Sequence, residues 1–163
     1  MRQIIHRREL REDDAFYADE EPRAGARRVA AAAEFLNAVA NGESVGNAVL
    51  IGPADEVEQL VPLLSRLTLI VIDFPKIGEG RGYSQARLLR QRYGFVGELR
   101  ARGALKRDQL VFLARCGFDS FQLDASENLQ QALSAFDTFS VAYQGGSDSI
   151  VQVKRRDSGL STA

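Results

Sequence analysis

Short apolar stretches alternate along most of the chain with segments whose apolar residues recur at helical spacing. The stretches predict strands, and each is followed by a predicted helix, in the order 45–51, 55–66, 67–74, 83–93, 96–101, 105–116, 120–123 and 128–136. The stretch 67–74 has the strongest strand signal, because it is β-branched, apolar and uncharged until Asp73. Repeated strand–helix units predict an α/β fold with a parallel sheet, either open or a TIM-like half-barrel. The exposed edges of a half-barrel would favour a homodimer.

The two ends of the chain differ in pattern from this central part. Residues 1–22 predict a short strand from Gln3 to Ile5 and then an acidic surface arm, since seven residues between positions 9 and 21 are Asp or Glu. The alanine-rich residues 23–40 predict a helix, which ends at a following Asn-Gly pair. We therefore expect one α/β domain over 23–143 and a flexible tail over 144–163, with one strand candidate at 150–153.

Composition and charge exclude several common classes of function. The chain has 163 residues, with 21 basic and 22 acidic side chains, so its overall charge points to neither a nucleic acid nor a membrane surface. One cysteine, Cys116, and one histidine, His6, exclude a disulfide framework, a four-cysteine zinc site and a multi-histidine metal site. We expect no metal and no cofactor, and a packing role for Cys116. No apolar run approaches ~18 residues and the first residues do not form a signal peptide, which predicts a cytoplasmic protein.

The basic residues are concentrated in one part of the chain. Residues 76–107 contain nine basic side chains and two acidic ones, Glu79 and Glu98. They surround a glycine-rich loop, 74–84, directly after the strongest strand, where α/β proteins commonly bind ligands. Glycine lets the backbone approach a ligand, arginine grips an oxyanion through two hydrogen bonds, and Ser84 is expected to cap the next helix. We predict a small-anion site formed by Lys76, Gly80, Arg81, Gly82, Ser84, Arg87, Arg90, Arg100 and Arg102.

Two carboxylates near this loop are candidates for acid–base catalysis. Asp73 ends the strongest strand, where it can orient Lys76 or Arg81 or transfer a proton, and Glu79 lies within the loop. A structural interpretation stays open, in which the glycines only form a turn and the arginines form a solvated helix face. A nucleotide site is not predicted, because Tyr83 occupies the position of the third glycine in G-x-G-x-x-G.

Several short motifs of the central segment together resemble one known family. They are Asp73-Phe74-Pro75, Gly80-Arg81-Gly82-Tyr83-Ser84, Arg87-Leu88-Leu89-Arg90, Gly97-Glu98-Leu99-Arg100-Ala101 and Arg115-Cys116-Gly117-Phe118-Asp119. The segment is similar to an uncharacterised bacterial family, a domain of unknown function. Its members are described as oxidoreductases of sulfite reduction, because their genes lie beside those for sulfite reductase and phosphoadenylylsulfate reductase. The chain departs from the family pattern at Gly78, commonly threonine, and at Glu79, commonly aspartate.

The residues and the resemblance lead to three hypotheses of function. The first is an accessory protein of assimilatory sulfite or sulfate reduction, which binds a small sulfur oxyanion, sulfite reductase or phosphoadenylylsulfate reductase. The second is a cofactor-independent enzyme that acts on a phosphate- or sulfate-bearing metabolite, with Asp73 or Glu79 as the acid–base group. The third is a non-enzymatic interaction module that docks through its acidic arm and its basic central face. No redox cofactor motif accompanies the oxidoreductase description, so enzymatic activity stays open.

Overall fold

A computed structural model describes residues 2–139 of the chain. The strands are β1 (Gln3–His6), β2 (Glu9–Glu12), β3 (Ala15–Phe16), β4 (Arg27–Arg28), β5 (Ala30–Ala31), β6 (Ala48–Ile51), β7 (Leu69–Phe74), β8 (Glu98–Gly103) and β9 (Ser120–Gln122). The helices are α1 (Ala32–Ala40), a 3₁₀ helix (Val57–Arg66), α2 (Arg81–Arg87) with a π-helical turn (Leu88–Arg92), a short 3₁₀ turn (Arg107–Gln109), α3 (Leu110–Cys116) and α4 (Leu129–Phe139). None of these helices is both long and apolar enough to cross a membrane. The tail predicted over 144–163 lies outside the described residues.

Seven of the strands form one sheet, in the order β2-β1-β9-β8-β7-β6-β5. Strands β5 to β9 are parallel and lie side by side in chain order, whereas β1 pairs antiparallel with both β9 and β2. The predicted α/β class with a parallel sheet is therefore confirmed. The half-barrel alternative is not confirmed: the sheet is open, and residues 2–139 contain no closed barrel.

The helices that connect the parallel strands pack against the same face of the sheet. Right-handed crossovers between strands that neighbour each other in chain order place every connecting helix on one side. The core on that side joins Phe35 of α1, Leu89 of the π-helical turn and Phe136 of α4 to Ile70 and Leu99 of the strands. Burying one large apolar side chain contributes about 2 kcal/mol, and this layer holds most of the buried apolar residues. It therefore supplies most of the hydrophobic stabilisation.

The central strands are predicted more accurately than the helices. All four predicted strands are present, with ends shifted by no more than three residues. The helix predicted over 55–66 is a 3₁₀ helix, in which Pro62 has no N–H to donate to an α-helical ladder. The helix predicted over 23–40 is wrong before Ala32, because Ala30–Ala31 pairs with β6 as a strand. Strand pairing outweighs the high helix propensity of alanine at that point.

The face of the sheet opposite the helices, called the inner face, is covered by the N-terminal part of the chain. Residues 13–29, the crossing segment, contribute Ala15, Tyr17 and Val29 to a second apolar cluster on this face. Two short strands of the segment, β3 and β4, pair in parallel. The expected acidic surface arm is wrong for Asp13, because only 2% of this residue is exposed. The crossing segment is therefore a layer of the fold.

A buried ion cluster joins the crossing segment to the middle of β8. The guanidinium of Arg100 is fully buried, with Nη1 2.9 Å from Asp13 Oδ1 and Nη2 2.9 Å from Glu98 Oε1. Its Nε donates to Ser120 Oγ at 3.2 Å, and Arg2 approaches Asp13 at 2.6 Å from the other side. Removing one partner of a buried ion pair costs about 3–5 kcal/mol. The cluster therefore holds the N-terminal part of the chain on the inner face.

The carboxyl of Glu98 makes this cluster sensitive to acid. Burial by itself would raise the pKa of Glu98, but Arg100, the Ser120 hydroxyl and Arg11 together outweigh it and lower this pKa to about 2. A carboxyl whose pKa is lower in the folded than in the unfolded state stabilises the fold above its unfolded pKa. This contribution is lost as the pH falls through the folded value.

We predict that the free energy of unfolding decreases between pH 4.5 and about 2, by on the order of 3 kcal/mol from Glu98 alone. Urea unfolding at a series of pH values measures this decrease. The variant Glu98→Gln should be less stable than the wild type at pH 7 and should lose less stability in acid. Glu43→Gln, at an exposed carboxylate, is the control. If Glu98→Gln keeps the full acid dependence of the wild type, the assignment to Glu98 is wrong.

Candidate functional site

The carboxyl ends of β7, β8 and β9 bring three polar side chains together on the inner face. Asp73, Arg102 and Gln122 occupy neighbouring positions in the register of these strands. Arg102 Nε lies 3.8 Å from Asp73 Oδ1, and 24% and 30% of the two side chains are exposed. Arg102 shares the inner face with Arg100 because side chains two positions apart along a strand point the same way. These three residues, together with Tyr17, form what we call the strand-end site.

Tyr17 of the crossing segment forms one side of the strand-end site. The guanidinium carbon of Arg102 lies 3.9 Å from the centroid of the Tyr17 ring, which is a cation–π contact. The Tyr17 hydroxyl donates to Gln122 Oε1 at 2.8 Å, and this leaves the Gln122 Nε2 group as a donor for another acceptor. Burial raises the pKa of the Tyr17 phenol, which keeps the hydroxyl protonated.

The strand-end site contains a donor without a protein acceptor and a carboxyl with a raised pKa. Arg102 Nη1 is buried and has no hydrogen-bond partner among the described residues. A buried donor without an acceptor costs about 1–3 kcal/mol until an acceptor pairs with it. Burial also raises the pKa of the Asp73 carboxyl, and the nearby Arg102 offsets this only in part. A cation with an unused donor beside such a carboxyl can hold a small oxyanion and exchange a proton with it.

The loop predicted to bind an anion is largely exposed, and its polar groups pair with nearby backbone. Lys76 is exposed, and Glu79 Oε1 accepts a hydrogen bond from the Arg81 backbone N–H at 3.2 Å. Arg81 Nη1 donates to the carbonyl of Pro53 at 3.2 Å. The prediction that Ser84 caps a helix is wrong, because α2 already begins at Arg81. Ser84 therefore lies inside the first turns of the helix, where its hydroxyl is exposed.

Two glycines near the loop are required by packing. A Cβ atom at Gly82 would lie 2.4 Å from the Phe74 ring, so a small residue is needed for α2 to pack on β7. Gly103, at the end of β8, has a φ of +117°, and a Cβ there would lie 2.4 Å from the Phe74 carbonyl oxygen. Gly80 has nothing within 4 Å of its Cβ position. Packing therefore explains Gly82 and Gly103 but not Gly80.

The predicted arginines do not all converge on one point. Arg90 donates to two backbone carbonyls that precede β8, at 2.9 and 2.8 Å, so it lies at the amino end of the strands. Arg81 lies at the opposite end, beside the loop after β6. Arg87 is exposed, and its guanidinium carbon lies 5.8 Å from the centroid of the Phe112 ring on α3. Arg100 lies on the inner face in the ion cluster. Anion binding stays a prediction for all nine residues, and the protein partners of Arg90 and Arg100 leave these two the least available.

Sequence reasoning identified two residues of the strand-end site and missed the other two. The sequence marks Asp73 and Arg102 as candidates, although it predicts that they act with the loop. Gln122 carries a usable signal, because it is the next-to-last residue of the predicted strand 120–123, as Asp73 is of the predicted strand 67–74. Tyr17 carried none, since it lies 105 positions before Gln122 within an acidic part of the chain.

The described residues also show where the lone cysteine and the lone histidine lie and whether a metal site is present. Within residues 2–139, no three His, Cys, Asp or Glu side chains are placed to hold one metal ion. Cys116 is fully buried at the end of α3, in agreement with its predicted packing role. His6 Nδ1 lies 3.0 Å from Arg11 Nη1 on the β1–β2 hairpin.

We predict that Gly103→Ala destabilises the protein by about 2 kcal/mol or more, because it combines a positive φ with a backbone clash. Chemical denaturation measures this change. Gly80→Ala is the matched control, since φ is −94° there and the added methyl group would meet nothing within 4 Å. If the two variants are equally stable, the strand-end glycine does not have the packing role assigned to it.

A family model matches the chain from β6 onward. Residues 48–153 match the model described as a bacterial protein of unknown function (DUF934). The matched part includes Asp73, Arg102 and Gln122 and begins after Tyr17. No curated protein and no solved structure matches the chain. Because the match covers more than half of the sequence, and agrees with the resemblance of its motifs, this protein belongs to the DUF934 family of bacterial proteins of unknown function.

Proposed function

We propose that the protein binds a small oxyanion at the strand-end site, with Arg102 as the residue that holds it. The observation that carries the proposal is the incompletely paired Arg102 guanidinium: 24% of the side chain is exposed, its nearest carboxyl lies 3.8 Å away, and Nη1 has no acceptor among the described residues. Charge-assisted hydrogen bonds from arginine to an oxyanion are among the strongest that a protein makes. Gln122 adds a neutral donor from the next strand, and the Tyr17 ring fixes the plane of the guanidinium.

The ligand in this proposal is a sulfur oxyanion, and the protein is an accessory of assimilatory sulfite or sulfate reduction. Support comes from the motifs that resemble a family encoded beside sulfite reductase and phosphoadenylylsulfate reductase. These two enzymes are the proposed partners. One cysteine and one histidine are too few ligands for an iron–sulfur cluster, which favours an accessory role over reduction by this chain itself.

A second candidate function is a cofactor-independent enzyme that acts on a phosphate- or sulfate-bearing metabolite. Asp73 favours it, because a carboxyl with a raised pKa is suited to accept and return a proton. In this case Arg102 would hold the anionic group of the metabolite while Asp73 acts on a neighbouring atom. Glu79 lies in the more exposed loop and hydrogen-bonds to it, which makes it the weaker candidate.

We predict that sulfite binds to the wild type and that Arg102→Gln weakens this binding about tenfold to hundredfold. The expected loss is that of a hydrogen bond to a charged group, on the order of 2 kcal/mol. Isothermal titration calorimetry measures both affinities. Arg92→Gln is the matched control and should bind sulfite as the wild type does. Like Arg102, Arg92 has its guanidinium over a tyrosine ring, with 5.8 Å between its guanidinium carbon and the Tyr93 ring centroid, but it is an exposed residue outside the site.

A third variant, Arg81→Ala, separates the strand-end site from the loop predicted from the sequence. If Arg81→Ala loses sulfite binding and Arg102→Gln retains it, the anion binds at the loop and the proposal is wrong about the site. If the wild type binds no oxyanion at all, the proposed function is wrong. The interaction module would then become the leading hypothesis.

The sulfur part of the proposal predicts a growth phenotype. A strain of the host that lacks the gene should fail to grow on sulfate or sulfite as sole sulfur source and should grow on sulfide. The wild-type gene should restore growth, and the Arg102→Gln variant should not. Normal growth of the deletion strain on all three sources would contradict a role in sulfite reduction and favour the metabolite enzyme.

A further inference from the structure

Asp73 is the second charged group of the strand-end site, and no donor within residues 2–139 hydrogen-bonds to it. Its carboxyl lies 3.8 Å from Arg102 Nε, and among the described residues it accepts no hydrogen bond. Among the described residues, Arg102 is the only charged residue whose electrostatic field shifts the pKa of Asp73. The inner-face position before Asp73 on the same strand is Val71, which is fully buried and apolar. An anion bound to the Arg102 guanidinium therefore lies beside a carboxyl that has no other partner.

We propose that Asp73 makes the strand-end site selective for oxyanions that carry a proton at neutral pH, such as hydrogen sulfite or hydrogen phosphate, over sulfate. This inference rests on the proposed function and specifies the class of anion that the site accepts.

The selectivity follows from the hydrogen-bonding capacity of the two partners. An ionised carboxylate only accepts hydrogen bonds, and fully deprotonated sulfate also only accepts them. If the Asp73 carboxylate and sulfate lie side by side on the Arg102 guanidinium, their negative charges repel each other, because neither group has a proton to donate to the other. A protonated oxyanion donates its O–H to Asp73 while its other oxygens accept from Arg102 and Gln122. Rejecting the wrong ligand through an unpaired like charge is a common source of specificity.

Protonation of Asp73 itself gives sulfate a costlier way to bind. Burial raises the pKa of this carboxyl, so the site can take up a proton from solvent when sulfate enters. At neutral pH the carboxyl must first be protonated, and this cost is subtracted from the affinity for sulfate. A protonated oxyanion brings its own proton and binds without that cost.

Calorimetric titration of the full chain at pH 7 with sulfite, inorganic phosphate and sulfate tests the inference. We expect the wild type to bind sulfite and phosphate about tenfold or more tightly than sulfate. In Asp73→Asn the amide can donate to sulfate, so sulfate should bind within about threefold of the other two anions. Asp108→Asn, at an exposed carboxylate after β8, is the matched control and should keep the selectivity of the wild type.

The possible results distinguish the selectivity from the site itself. If the wild type binds all three anions equally, or if Asp73→Asn keeps the tenfold preference, the role of Asp73 is overturned while the Arg102 site stands. If sulfate binds more tightly than the other two, the inference is also overturned. If no anion binds to the wild type, both the inference and the proposed function are wrong.

Discussion

The Arg100 guanidinium lies fully out of water in the middle of the sheet, and this burial constrains the rest of the inner face. A charge in that position is tolerated only when charged and polar partners surround it. Glu98 is on the same strand and Ser120 on the next, but Asp13 comes from the N-terminal part of the chain. The crossing segment must therefore lie on the inner face for the sheet to be stable. Its position then brings Tyr17 to the carboxyl ends of the strands.

Two arginines on one strand illustrate how surroundings decide what a side chain can do. Arg100 and Arg102 share the inner face of β8, two positions apart. Arg100 is fully buried, and each of its three guanidinium nitrogens donates to a protein group, two of them to carboxylates at 2.9 Å. Arg102 has one carboxyl at 3.8 Å and a tyrosine ring, and its Nη1 is unpaired among the described residues. The first arginine stabilises the fold, and the second can act as a binding residue because its protein partners are incomplete.

The two faces of the sheet have different physical roles. The helix side is an apolar core, and the large side chains there contribute through burial. The inner face carries a smaller apolar cluster near β6 and β7 and a charged region on β8. Gly82 belongs to the helix side, because it lets α2 approach the Phe74 ring. The glycine-rich loop therefore looks like a ligand loop in the sequence, although part of its composition serves packing.

The sequence by itself determined the parallel order of the α/β units, since buried parallel strands are continuous apolar runs that stand out from amphipathic helices. It also placed Asp73 and Arg102 at strand ends, where ligands of such folds bind. Only the tertiary structure decided which arginines are available. Arg90, Arg100 and Arg102 are the same residue type in one basic segment, and they differ only in the carbonyls, carboxylates and rings around them. Those partners include Asp13 and Tyr17, which are distant in sequence from the arginines. Such long-range contacts cannot be predicted from local sequence patterns.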